Sequence, residues 1–209
     1  MNHRGHFVMR DFQARRAAMV SIIVAAAVSM MASPALAHTG SVAGGFGGGF
    51  THPLFGADHV VAMVAVGLWG AFLGAPAIWL LPIVFPLVMA LGGAMGILGI
   101  PLPGVEIGIA LSAVALGAMV ALAARPALWI AASLVGAFAI FHGHAHGAEL
   151  PDGADAVAYS LGFVMATGLL HLCGIAFGLL ARYPAGRVAV RAAGLIIAMI
   201  GAGYLFQAV

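Results

Sequence analysis

Hydrophobic residues run along this chain in six long stretches, separated by short punctuation of glycine, proline and charge. The pattern predicts helices over about 53–74, 77–99, 104–124, 127–147, 156–181 and 187–208. Each is near the ~20 residues that carry an α-helix across a hydrocarbon core. Pro82 and Pro86, followed by Gly92, Gly93 and Gly96, predict a kinked second helix whose released carbonyls could line a cavity. The pairs Gly92/Gly96, Gly104/Gly108 and Gly174/Gly178 have the spacing that lets membrane helices approach closely. The connections are short, so no separate soluble domain is expected.

Residues 1–37 have the order of a secretory signal. Basic Arg10, Arg15 and Arg16 precede the apolar run Ala17–Met31, and Ala35-Leu36-Ala37 forms an A-x-A cleavage site. An uncleaved anchor is the other reading, and both leave His38 on the external side. Gly40–Gly49 is expected to be a flexible external linker. The expected organisation is a signal peptide at 1–37, a glycine-rich external segment at 38–51 and a transmembrane domain at 52–209. The expected fold class is all-α integral membrane: a bundle of six transmembrane helices after an N-terminal signal peptide.

Composition supports a membrane protein and excludes a soluble domain. Hydrophobic residues are 64% of the chain and charged residues 7%, and mean hydropathy is +1.14. The lipid bilayer is the partner this implies. The basic pI of 9.2 points to no nucleic acid, because Arg4, Arg10, Arg15 and Arg16 all precede residue 17. Arg125 lies in the third join between helices, and Arg182, Arg187 and Arg191 cluster around the fifth. The second and fourth joins carry Glu106 and Asp152 with Asp155 instead. By the positive-inside rule the odd joins are cytoplasmic and both ends of the mature chain are external. An inner-membrane, multi-pass location follows.

That orientation collects polar residues at the external end. In the motif Phe141–Glu149, a turn of about 100° per residue puts His142, His146 and Glu149 on one face and His144 on the other. Two imidazoles one turn apart, followed by a carboxylate, make a chelating face for a borderline transition metal. Such residues are costly to keep in a membrane helix. His52, Asp58 and His59 open the first helix at the same end, and Glu106 opens the third. On a continuous helix His52, His59 and Met63 share a face, a relation that changes if Gly56 breaks it.

Several of these residues also fit plainer roles. Asp58 could cap its helix, and Glu106 could complement a helix dipole. His171, with Thr167 one turn before it, suits either interhelical hydrogen bonding or a relay or transit site. Cys173 suits packing, and Asp152 and Asp155 a solvated loop. His38, as a new N-terminus, would offer an amine and an imidazole to a metal.

Two motifs carry a more specific likeness. His52-Pro53-x-x-Gly56-x-Asp58-His59-x-x-x-Met63-x-x-Val66-Gly67-Leu68-Trp69 and Phe141-His142-Gly143-x-Ala145-His146-Gly147-x-Glu149-Leu150-Pro151 resemble the two signatures of the HupE/UreJ family. The likeness extends to Pro103-x-Val105-Glu106 and Gly162-Phe163-x-x-x-Thr167-x-Leu169-Leu170-His171. Members are hydrogenase- and urease-associated membrane proteins regarded as nickel or cobalt permeases. The resemblance implies importance for His52, Asp58, His59, Glu106, His142, His146 and Glu149. His144 departs from the aromatic residue common at its position.

The expected function is therefore transport of Ni²⁺ or Co²⁺ from the external side to the cytoplasm, with metalloenzyme maturation proteins as possible partners. The transported ion is cargo, with no tightly bound cofactor expected. Only one cysteine is present, which argues against a Cu(I) or structural zinc site. No nucleotide-binding motif is present, so energy would come from a gradient, a partner or downstream trapping. Two other readings are an external metal sensor or chaperone without transport, and an intramembrane metallohydrolase. For the hydrolase, Gly143 stands where a zincin has its catalytic glutamate.

Overall fold

Breaks in the apolar pattern divide the chain into helices. The structure, a computed structural model, describes residues 45–151 and 153–209. The expected signal peptide, His38 and Asp152 lie outside the described residues. Seven α-helices follow one another: α1 (Phe46–Phe55), α2 (Ala57–Leu73), α3 (Ala77–Ile97), α4 (Val105–Ala121), α5 (Leu128–Ala148), α6 (Ala156–Gly178) and α7 (Pro184–Ala208). A 3-10 turn, Leu179–Arg182, extends α6. The fold of the described residues is all-α.

Helices α3, α5, α7 and α6 with its 3-10 extension are each long and apolar enough to cross a membrane, with mean hydropathies from 1.5 to 2.1. Helices α1 and α2 qualify only together and bend by 82° at their junction. Helix α4, at 17 residues, is shorter. Four candidate spans result, or five if the bent pair counts as one, where six were expected. Backbone geometry accounts for the short α4. Gly104 caps its start with a left-handed φ of 70°, and Ala123 takes a φ of 56° just beyond its end.

The glycine-rich stretch differs from its expectation as a linker, since Phe46–Gly49 already belong to α1. A Cβ at Gly49 would fall on the backbone of Tyr159, and one at Gly162 on the backbone of Phe46. The small residues let α1 lie backbone to backbone on α6.

Similar seams join the longer helices. Helix α3 packs on α5, α2 on α6 and α4 on α7. Gly92 and Gly96 press on the α5 backbone, and Gly174 presses on Val64 and Gly67 of α2. Lipid tails are as apolar as leucine, so close packing of this kind, rather than burial from water, holds membrane helices together. Gly104/Gly108 is not such a pair: Gly104 is the helix cap, and Gly108 makes room for the Phe141 ring.

Large apolar side chains also cover the outside, among them Trp79, Leu91, Trp129 and Phe206. These are the helices of a multi-pass membrane protein. Cys173 is exposed as well, rather than packed inside.

The two ends of the bundle differ in chemistry. At one, the Arg191 Nε–H donates to the Ala121 carbonyl (2.8 Å) and the Trp69 Nε1–H to the Ala124 carbonyl (3.1 Å). The Arg125 guanidinium lies 4.8 Å above the Phe72 ring. Histidines gather at the other end. There Asp155 proves to be more than a loop residue: its Oδ1 accepts from the Val157 and Ala158 N–H groups and caps α6.

Candidate metal site

Gly56 creates the geometry of the site. It ends α1 and begins α2 with φ −79° and ψ 106°. Its N–H donates to the His52 carbonyl (3.1 Å) and its carbonyl accepts from the Val60 N–H (2.9 Å). His52 and His59 therefore sit on separate helices on either side of a sharp bend. Asp58 is not the cap, since no side chain caps the start of α2. Its Oδ1 lies 3.1 Å from His59 Nδ1 instead, without the alignment of a full hydrogen bond. A carboxylate there favours the tautomer with the proton on Nδ1, which leaves the Nε2 lone pair for the site.

Ligand atoms of His52, His146 and Glu149 all lie within 4.8 Å of one another. An ion held at about 2.1 Å by each ligand needs those atoms roughly 3–4 Å apart. The outer limit of the observed spacing lies just above that range. His52 comes from α1, His146 from the last turn of α5, and Glu149 is the C-cap of the same helix. The helical phase expected for His146 and Glu149 is what brings them to one side.

Two more imidazoles continue inward from this triad. The His59 Nε2 meets the His146 Nε2, so at least one of the two nitrogens presents a lone pair. His142 follows, its ring centroid 5.0 Å from that of His59. It is fully buried one turn below His146. Ser112 of α4 donates its hydroxyl to the Ile109 carbonyl at 2.6 Å and lies 2.9 Å from His142 Nε2. With its only proton so used, Ser112 accepts from His142 Nε2–H and leaves a lone pair on Nδ1. That Nδ1, like the Nδ1 of His146, is buried without a hydrogen-bond partner. Leaving such an atom unpaired costs roughly 1–3 kcal/mol, a cost often retained at functional sites.

Other expected residues stand apart. Glu106 is exposed in the first turn of α4 and is not part of the triad. The His144 Nε2–H donates to the Ile100 carbonyl (2.8 Å), tying α5 to the loop after α3. His171 lies deeper, in the middle of α6.

Sequence reasoning missed Ser112, Phe85 and Tyr159, and it named Phe163 only as part of a family-like motif, without a role at the site. Ser112 is the only hydroxyl residue in α4, which was a signal. Phe163 packs its ring 4.2 Å from His146, and Tyr159 lies 6.3 Å from His52. The i, i+4 spacing of these two aromatics on α6 was visible, but not which histidines they would meet. Beside them a largely apolar cavity of about 200 Å³ has His146 in its wall.

Comparison with known proteins agrees with the motifs. The sequence profile of the HupE / UreJ protein family matches residues 26–204. Protein HupE of Rhizobium leguminosarum bv. viciae is 47% identical over 173 residues, which cover 83% of this chain and 91% of that protein. No solved structure matches. The match extends over both histidine motifs and all the helices described above except the last turn of α7, and on that evidence the chain belongs to the HupE/UreJ family.

Proposed function

We propose that this protein carries a divalent transition metal ion, Ni²⁺ or Co²⁺, across the inner membrane from the external side into the cytoplasm, for maturation of a hydrogenase or urease. The observation that carries this reading is the approach of His52, His146 and Glu149 to within 4.8 Å, from two helices far apart in sequence. Two nitrogens and a carboxylate oxygen suit a borderline divalent ion. A triad that is exposed at Glu149 and buried at His146 suits capture from water and transfer inward. His59 and His142 then offer successive donors along the path, oriented by Asp58 and Ser112.

The arginines at the opposite end support the topology. Arg125, Arg182, Arg187 and Arg191 mark a cytoplasmic face, which leaves the histidine end external. In this reading α4 also crosses, at the short limit of the ~17–25 residues that suffice, and the α1–α2 bend makes α1 a half-inserted helix at the external surface. Six crossings place both ends of the mature chain outside.

Radiotracer uptake tests the proposal. Cells expressing the protein should accumulate nickel or cobalt at trace supply above an empty-vector control. Equal accumulation, with folded protein shown in the membrane, would favour a sensor that binds without transport. A hydrolytic role is disfavoured by Gly143, where a Cβ would fall on the Met89 carbonyl oxygen. No general base can stand at that position.

A further inference from the structure

Helix α6 presents a winding stripe to the interior at four-residue spacing: Tyr159, Phe163, Thr167 and His171, all buried. The first two pack beside the metal triad. The last two do not reach it. His171 is eight residues beyond Phe163, about 12 Å further along the helix, and is 1% exposed. Neither of its ring nitrogens has a hydrogen-bond partner, nor has the Thr167 hydroxyl. Polar atoms this deep in a membrane protein are costly unless they serve a ligand or a path.

A third donor is supplied by α3, which carries two prolines within its length. Pro86 has no N–H, so the Pro82 carbonyl, one turn earlier in α3, lacks its usual intrahelical donor. This carbonyl is one turn from Phe85 in α3, whose ring packs on His171. Phe85, on the turn between the two prolines, lies between the histidines. Its ring centroid is 5.6 Å from that of His142 and 5.6 Å from that of His171.

We propose that His171, Thr167 and the Pro82 carbonyl form a second, inner station for the divalent metal ion, separated from the outer histidines by the Phe85 ring. The inference rests on the transport reading above and extends it past His142. One nitrogen of a neutral imidazole always carries a lone pair, and the hydroxyl and carbonyl add two neutral oxygens. A donor set without a carboxylate holds a divalent ion weakly. Weak holding suits a transit station, where an ion must leave as readily as it enters.

The test combines Co²⁺ binding to the purified full-length protein with Co²⁺ flux into proteoliposomes. Wild type should bind a tight ion and a weaker second one. His171→Phe, which keeps a ring in the space, should lose the weaker ion, keep the tight one and cut flux by about tenfold or more. Thr167→Val, nearly isosteric, should weaken the second ion and slow flux without altering the first. Unchanged ion count and flux in His171→Phe would overturn the inner station. Loss of the tight ion in that variant would overturn it too, because His171 would then be shaping the outer site. Retention of both ions with loss of any response to a pH gradient would also overturn it, assigning His171 to proton transfer. A wild-type protein that moves no Co²⁺ would remove the transport reading itself.

Discussion

The Nε2 atoms of His59 and His146 face each other across the α2–α5 junction, although the residues are 87 positions apart. Neither helix makes the site alone. Asp58 stands behind His59, and the Phe163 ring packs against His146 at a tilt, so each ring has a neighbour that fixes its position.

His52→Ala, His146→Ala and Glu149→Gln should each reduce metal uptake about tenfold to a hundredfold or more, the range seen when ligands or their supports are removed. Protein in the membrane should remain at wild-type level. Immunoblotting of membranes beside radiotracer uptake checks both. Normal uptake in His146→Ala would place the site elsewhere.

Asp58→Asn separates charge from helix capping. Because Gly56 occupies the cap, the substitution should leave the melting temperature nearly unchanged. It should still lower transport, since an amide no longer favours the Nδ1–H tautomer of His59. A large fall in melting temperature would show that the carboxylate supports the fold after all.

His144→Tyr should keep most uptake. The change removes a hydrogen bond to Ile100, worth about 1 kcal/mol, and touches no member of the triad. Thermal unfolding in detergent should register a small loss while flux stays near wild type. Abolished flux would overturn the assignment of His144 to the loop.

Gly143→Ala should do the reverse of a conservative change. Its Cβ would fall on the Met89 carbonyl, forcing α3 and α5 apart beside His142. Overpacking of this kind costs roughly 1–3 kcal/mol. Both melting temperature and flux should drop, whereas Gly168→Ala, where a Cβ meets nothing within 4 Å, should be silent in the same assays.

Topology is checked by labelling single cysteines in a Cys173→Ala background. Asp152→Cys should react with an impermeant reagent from outside, and Arg187→Cys only after permeabilisation. The opposite pattern would invert the orientation and move the triad to the cytoplasmic face.

Much of this site was legible in the sequence because it depends on helical phase. His142, His146 and Glu149 fall on one side of α5 by spacing alone, and His144 falls on the other. The relation of His52 to His59 was not legible. It depends on the 82° bend at Gly56, and that bend is held by the seating of α1 on α6 through Gly49 and Gly162. Capping was the plainer role open to Asp58 beside its place in the metal set, and the glycine itself takes the cap. Glu106 shares an end of the bundle with the histidines without joining them, since charge and position give the end of a helix but not its azimuth. Ser112 and Phe85 act on His142 from other helices, and only tertiary packing decides such partners.

The glycine seams divide the bundle into pairs that cannot easily slide internally. Met89 and Gly93 of α3 lock against Gly143 and Gly147 of α5, while Gly67 of α2 locks against Gly174 of α6. Phe85, His142 and His146 thus travel together, and His59, Thr167 and His171 travel together. Rocking of one pair against the other about an axis away from this contact opens or closes the gap between His59 and His146. An ion bridging those two rings would act as a latch between the two pairs, so that in the proposed transport loading and closing would be a single event.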